Sequence, residues 1–277
     1  MRILTLLVSL LALQFSSGVH LVEVYATVVD AEGQPVLGLA QEEFRILEDG
    51  VPQPISAFVA GEFPLSAAVA IDRSWSMAGE PLRMAKSAAH VFLGQLRHQD
   101  RALIVAVGNE AEIVAPLSVD RAAHHRALEA LDPWGTTSLH DAIIATLDRI
   151  HPATGRRALV LLSDGVDRYS RATAAEVLAR ARRADVLVYP IALGRVRPEL
   201  FAELAVLSGG RSFHLRRPRE LESTFRAIAD ELRHQYLLGY TPSRPPDPGA
   251  AEQWRSITVE VNRPGVSVRA RDGYIAH

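Results

Sequence analysis

Between about residue 64 and residue 235, short apolar runs alternate with helix-like segments, and no other feature restricts the possible folds as much. Residues 66–71, 102–107, 158–162 and 186–193 are nearly continuous apolar stretches. Runs of that length and composition form strands buried on both faces of a sheet. Residues 81–96 place apolar side chains at helical spacing, with Pro81 suited to a first helical turn. Residues 120–131, 138–150, 173–183, 198–207 and 221–232 also read as helices, and Gly209-Gly210 ends the fourth of these five. Residues 111–117 and 211–215 add two more strands. Strands that alternate with helices imply βαβ units and an α/β fold, a doubly wound, mostly parallel sheet covered on both faces.

The flanks read differently. Val22, Val24, Ala26 and Val28 recur at period two, as in a half-buried strand. Asp30-Ala31-Glu32-Gly33 reads as a turn, residues 44–48 as a second strand, and Asp49-Gly50 as a hairpin turn before Val51. After residue 235 come an apolar run at 236–240, a Pro-rich loop at 242–251, and strands at 257–261 and 266–270 separated by Arg263-Pro264-Gly265. Neither flank is large enough to close a core alone. The expected organisation is a β-sandwich-like module assembled from N-terminal strands (19–63) and C-terminal strands (236–277), with the α/β domain (64–235) inserted between them.

A short secretory signal is expected at residues 1–18. Arg2 supplies a positive charge, residues 3–15 are mostly apolar, and Ser16-Ser17-Gly18 offers small residues for cleavage. The run is short for a membrane span, and no later segment is long and apolar enough for one. The mature chain is thus expected to be secreted or periplasmic. It has no cysteine, which excludes disulfides, thiolate metal sites, Cys nucleophiles and a lipidated N-terminal Cys. The formal net charge of -2 gives no basic excess for nucleic acid.

The richest segment, Asp72-Arg73-Ser74-Trp75-Ser76, begins where the first strand of the α/β region ends. Ligands of open α/β sheets bind beyond the carboxyl ends of the strands, where the strand order switches. Two other loops should reach the same rim: Gly135-Thr136-Thr137 before a helix, and Ser163-Asp164-Gly165 after a core strand. Asp72 and Asp164 bring carboxylates, and Ser74, Ser76 and Thr137 bring neutral hydroxyls. All are hard oxygen donors, which suit Mg²⁺, Mn²⁺ or Ca²⁺ and suit Zn²⁺ poorly.

Asp-x-Ser-x-Ser, Gly-x-Thr and Ser-Asp-Gly, in this order and on these elements, resemble the metal-ion-dependent adhesion site of von Willebrand factor A domains. The resemblance spans residues 65–232. It implies a metal site of Asp72, Ser74, Ser76, Thr137 and Asp164, most simply for Mg²⁺, and a partner protein that supplies an Asp or Glu to the ion. Gly38-Leu39 with Glu42-Glu43-Phe44, Tyr236 to Pro242, and Val268 to Tyr274 are similar to the flanks of bacterial secreted proteins related to that family. Trp75 departs from the pattern, which more often has a small residue there.

Each residue also has a plainer reading. Asp72, Ser74 and Ser76 could cap the helix that follows, Thr137 or Ser138 could cap the next, and Asp164-Gly165 could be a simple turn. Trp75, Trp134 and His140 are candidate partner contacts at the rim; core packing is an equal alternative for Trp75 and the preferred one for Trp134. His124-His125 reads as a solvated pair on a polar helix face, and Asp167 as a solvated loop charge sooner than as a residue that supports the site from behind its ligands. No Gly-x-Ser-x-Gly elbow, His-Glu-x-x-His or phosphate-binding Gly-rich loop is present. No catalytic residue is therefore nominated, and the expected function is metal-dependent protein binding. The alternatives are a Mg²⁺-dependent hydrolase and an assembly component with a purely stabilising metal.

Overall fold

The structure, a computed structural model, describes residues 21–61, 63–245 and 252–276. The expected signal segment and most of the Pro-rich loop lie outside the described residues.

The middle of the chain folds as a six-stranded sheet. In chain order its strands are β5 (Leu65–Asp72), β6 (Arg101–Val107), β7 (Ala111–Ser118), β8 (Arg156–Ser163), β9 (Leu187–Leu193) and β10 (Phe213–Leu215). Their spatial order is β10-β9-β8-β5-β6-β7, parallel throughout except for β7. Every residue of β5 and of β9 is buried, which explains why those segments read as continuous apolar runs. One sheet face (Ala67, Val69, Ile71) packs on α1 (Glu80–Gln95) and α6 (Leu221–Arg233), with α2 (Arg121–Glu129) beside them. The other face (Ala68, Ala70) packs on α3 (Leu139–Ile150), α4 (Ala174–Ala184) and α5 (Glu199–Ser208). The doubly wound expectation is met, with element ends shifted by only a residue or two.

The flanks meet in two antiparallel sheets. β1 (Val22–Val29), β4 (Ile55–Ala60), β11 (Tyr236–Tyr240) and β13 (Ser267–Arg269) form one, in the order β13-β1-β11-β4. β2 (Phe44–Glu48), β3 (Val51–Gln53), β12 (Gln253–Val261) and β14 (Gly273–Ala276) form the other, in the order β14-β12-β2-β3. Both contribute to one core that includes Val24, Ala26, Val28, Ile46, Tyr236, Leu238 and Val259. The turn at 263–265 closes no hairpin. It carries the chain from β12, paired with β2 and β14, across to β13, paired with β1. The Asp49-Gly50 turn behaves as its sequence predicts, with φ of 49° and 78° at its two central residues.

One expectation is corrected on α2. His124 is fully buried rather than solvated, its Nε2 3.3 Å from the Ser118 hydroxyl. Its neighbour His125 is half-buried, its Nδ1 against Nδ1 of His90, whose Nε2 lies 2.6 Å from a Glu129 carboxylate oxygen. Burial, with Arg121 adding repulsion, pushes the His124 pKa down, and burial with His90 and Arg121 does the same for His125. The unfolded chain then binds protons that the folded chain refuses, so stability is lost as pH falls below the ordinary histidine value of about 6.5. The melting temperature should fall between about pH 7.5 and about pH 5.5, and His124→Gln should shrink that fall. An unchanged slope in the variant would remove His124 from the explanation.

Candidate functional site

β5 is the strand at which the sheet order reverses, with β6 on one side and β8 on the other. Adjacent strand ends therefore open a crevice above Asp72, the last residue of β5, and Ser163, the last of β8. The connections around it are tied by backbone hydrogen bonds. Trp134 N donates to Arg73 O (2.8 Å), Trp75 N to Gly135 O (3.2 Å) and Arg168 N to Thr137 O (3.0 Å). Gly135 has φ of 75°, and a Cβ there would lie 2.7 Å from Asn109 Oδ1, which instead accepts from the Thr136 amide. Glycine is the residue that lets this loop close over its neighbour.

The Asp72 carboxylate is fully buried, and its hydrogen bonds come from the loop after β5, the end of β8 and the loop before α3. Oδ1 accepts from the Ser74 amide (2.9 Å). Oδ2 accepts from the Ser163 hydroxyl (2.7 Å) and, at 3.4 Å, from the Thr137 hydroxyl. The Ser74 and Ser76 hydroxyl oxygens are 3.0 Å apart. Asp164 Oδ1 accepts from the Val166 amide, and its charge acts on Asp72. Burial raises the Asp72 pKa, the hydrogen bonds from Ser163 and Ser74 pull it back down, and Asp164 raises it further. The structure thus brings Asp72, Ser74, Ser76 and Thr137 into one hydrogen-bonded cluster, with Asp164 beside it. The charge acting on the buried carboxylate is of its own sign.

Two residues outside the nominated ligand set, Ser163 and Asp167, hold the site together. Ser163 holds Asp72 more closely than any of the nominated hydroxyls does, and the signal was its position next to Asp164 at a strand end. Asp167 is no solvated charge. Its Oδ1 accepts from the Leu139 amide (2.8 Å), the His140 amide (3.2 Å) and the Ser170 hydroxyl, so it caps α3 from another loop. Ser138 precedes α3 but makes no side-chain cap. That leaves the buried Thr137 hydroxyl to face Asp72.

Trp75 is 65% exposed and Trp134 52% exposed, so neither is a core residue. The Arg73 guanidinium lies 5.5 Å from the Trp134 ring centre and binds Glu112 at 2.6 Å. The bulky residue at position 75 projects outward and leaves Ser74 and Ser76 adjacent. His140 is outside the cluster, its Nδ1 3.0 Å from the Ala172 carbonyl oxygen.

Two carboxylates with three or four hydroxyls form a hard, oxygen-only donor set. Among the described residues there is no group of three or more His, Cys, Asp or Glu that could hold a metal by itself. The residues therefore fit a hard divalent cation that retains waters, and fit poorly one that needs several imidazoles or thiolates.

Comparison with known proteins follows the same lines. Residues 68–166 match the family model of the von Willebrand factor type A domain. An uncharacterized protein of Synechocystis sp. is 26% identical over 175 residues, which is 61% of this chain and 42% of that protein, so the chain spans less than half of its relative's length. A von Willebrand factor type A structure from Catenulispora acidiphila superposes with a TM-score of 0.58 at 16% identity, over 84% of this chain and 73% of that one. Proximal thread matrix protein 1 from the mussel byssus, solved with zinc in its metal-ion-dependent adhesion site, superposes with a TM-score of 0.56 at 15% identity, over 67% of this chain and 49% of that one. With its doubly wound sheet, its buried aspartate at the strand switch and the sequence match across 68–166, the middle of this chain is a von Willebrand factor type A domain.

Proposed function

We propose that this chain is a protein-recognition module acting outside the cytoplasm, and that Asp72, Ser74, Ser76, Thr137 and Asp164 hold a divalent cation, Mg²⁺ before Mn²⁺ or Ca²⁺, directly or through water. The observation that carries the reading is the buried Asp72 carboxylate, surrounded by neutral hydroxyls and influenced by a second carboxylate. Buried charges are paired or bind metal, and the charge acting on this one is another anion. A bound cation would neutralise the pair and offer an open coordination position to an Asp or Glu of a partner protein. The chain's own contribution is to fix donors from three loops with backbone bonds and to present Trp75 and Trp134 around them as contact residues. Domains of this family are generally interaction modules. Among the described residues no helix is long and apolar enough to cross a membrane.

The test is capture of proteins from an extracellular or periplasmic extract in Mg²⁺ and in chelator, with Thr137→Ala as the control. A partner retained by the wild type in Mg²⁺ should be lost in chelator and reduced at least about tenfold by the variant. A partner retained equally in all three arms would sink the reading.

A further inference from the structure

The rim around β5 is charged with opposite signs on its two sides. Toward β8, β9 and β10 it carries Arg168, Arg195, Arg197 and Arg216, all exposed. Among the described residues none of the four takes part in an ion pair. They occupy one continuous ledge. Arg168 N donates to Thr137 O. The loop after β8 abuts the loop after β9, since a Cβ at Gly165 would lie 2.4 Å from Pro198 Cγ. Gly194 N, at the start of that second loop, bonds Leu215 O at the end of β10 (2.8 Å). The carboxylates of Asp167 and Asp141 on this side accept from backbone amides, and Glu199 opens α5. Toward β6 and β7 the exposed charges are Glu110, Glu112 and Asp132, and among the described residues only Glu112 of these is in an ion pair, with Arg73.

Building on the function proposed above, we infer that the partner presents an acidic segment, with several carboxylates in succession, which runs from Asp72 over the ends of β8, β9 and β10. Unpaired guanidinium groups favour carboxylates and can hold them in bidentate fashion. The acidic side of the rim repels the same segment and so fixes its direction. Tyr169 (66% exposed) beside Arg168, and Val196 (43% exposed) between Arg195 and Arg197, interleave apolar surface with the charges. That pattern suits a peptide with side chains of both kinds better than a uniform polyanion.

The test uses the full chain and two fluorescein-labelled synthetic peptides, read by anisotropy in Mg²⁺. One has a single glutamate in a Gly/Ser background, and the other has a run of aspartates after that glutamate. The aspartate-run peptide should bind about tenfold more tightly, and raised salt should shrink the difference. Arg195→Glu/Arg197→Glu/Arg216→Glu should abolish the difference while leaving divalent-cation binding intact. Equal binding of both peptides by the wild type, no binding of the aspartate-run peptide at about 1 mM, or an unaffected triple variant would overturn the inference. So would an oligonucleotide or heparin that displaces the peptide far better than unlabelled peptide does. Asp72→Asn separates the two claims. If it removes all binding while the arginine variant behaves as wild type, the ledge inference fails alone. If it changes nothing while the arginine variant loses the preference, the metal reading fails and the ledge stands.

Discussion

Asp72→Asn is expected to abolish divalent-cation binding and, with it, the thermal stabilisation that a cation gives the wild type. A ligand that binds only the folded state stabilises it by about 2.7 kcal/mol at a free concentration one hundred times Kd. For a domain of this size that corresponds to a rise in melting temperature of about 5–10 °C on adding excess Mg²⁺. Asparagine keeps the shape of Asp72 and can still accept a hydrogen bond from Ser163 or from the Ser74 amide. It removes a buried charge on which the charge of Asp164 acts. In chelator the variant should therefore melt at or above the wild-type temperature, because a buried anion beside Asp164 is a cost when no cation is bound. In Mg²⁺ the order should reverse. Scanning calorimetry of both proteins in both buffers checks this directly. An equal Mg²⁺-dependent rise in wild type and variant would remove Asp72 from the site.

The parts of the fold that were legible in the sequence are those whose pattern is local. β5 and β9, buried on both faces, show as unbroken apolar runs, and β1, buried on one, shows as alternation. The donor cluster was legible for a related reason. Its residues stand at strand ends, and a parallel sheet brings those ends to one rim. What stayed hidden depends on distant partners. β4 and β14 are short and carry no clear alternation; β4 is ordered by β11, far along the chain, and β14 by β12, past the intervening β13 in the other sheet. His124 looks polar on its helix, yet it is enclosed where α2 meets the sheet. Asp167 caps α3 from a loop that follows β8, so no reading of the residues before α3 would find it. Trp134 reads in the sequence as a packed residue more readily than a displayed one; that expectation is corrected, because it is exposed at the rim with its amide bonded to Arg73 O.

The largest effect on stability is expected far from the rim, at Arg255 on β12. Its side chain is fully buried, and its guanidinium donates to Glu48 Oε1 (3.0 Å) and to the carbonyl oxygens of Arg244 (2.6 Å) and Pro245 (2.9 Å). Glu48, on β2, is also buried, and its Oε2 accepts from the hydroxyls of Tyr240 on β11 and Tyr274 on β14, both at 2.8 Å. The ion pair thus links strands of both sheets of the β module, contributed by both flanks of the chain. Burial and the bond to Glu48 push the Tyr274 hydroxyl up to about 12 and raise Tyr240 as well, which keeps both phenols protonated as donors. Arg255→Met preserves much of the volume but leaves the Glu48 charge buried without a counter-ion, a loss of about 3–5 kcal/mol. Set against a typical total of about 5–15 kcal/mol, that is enough to unfold a marginal module. The double variant Arg255→Met/Glu48→Gln should recover much of the loss, because a neutral amide can still accept from the tyrosines and no unpaired ion remains. Denaturant unfolding in chelator, followed for wild type, both single variants and the double, closes the cycle and isolates the pair from any contribution of the metal site. A single variant within about 1 kcal/mol of wild type would mean that water reaches Glu48 and that the pair is not holding the two flanks together.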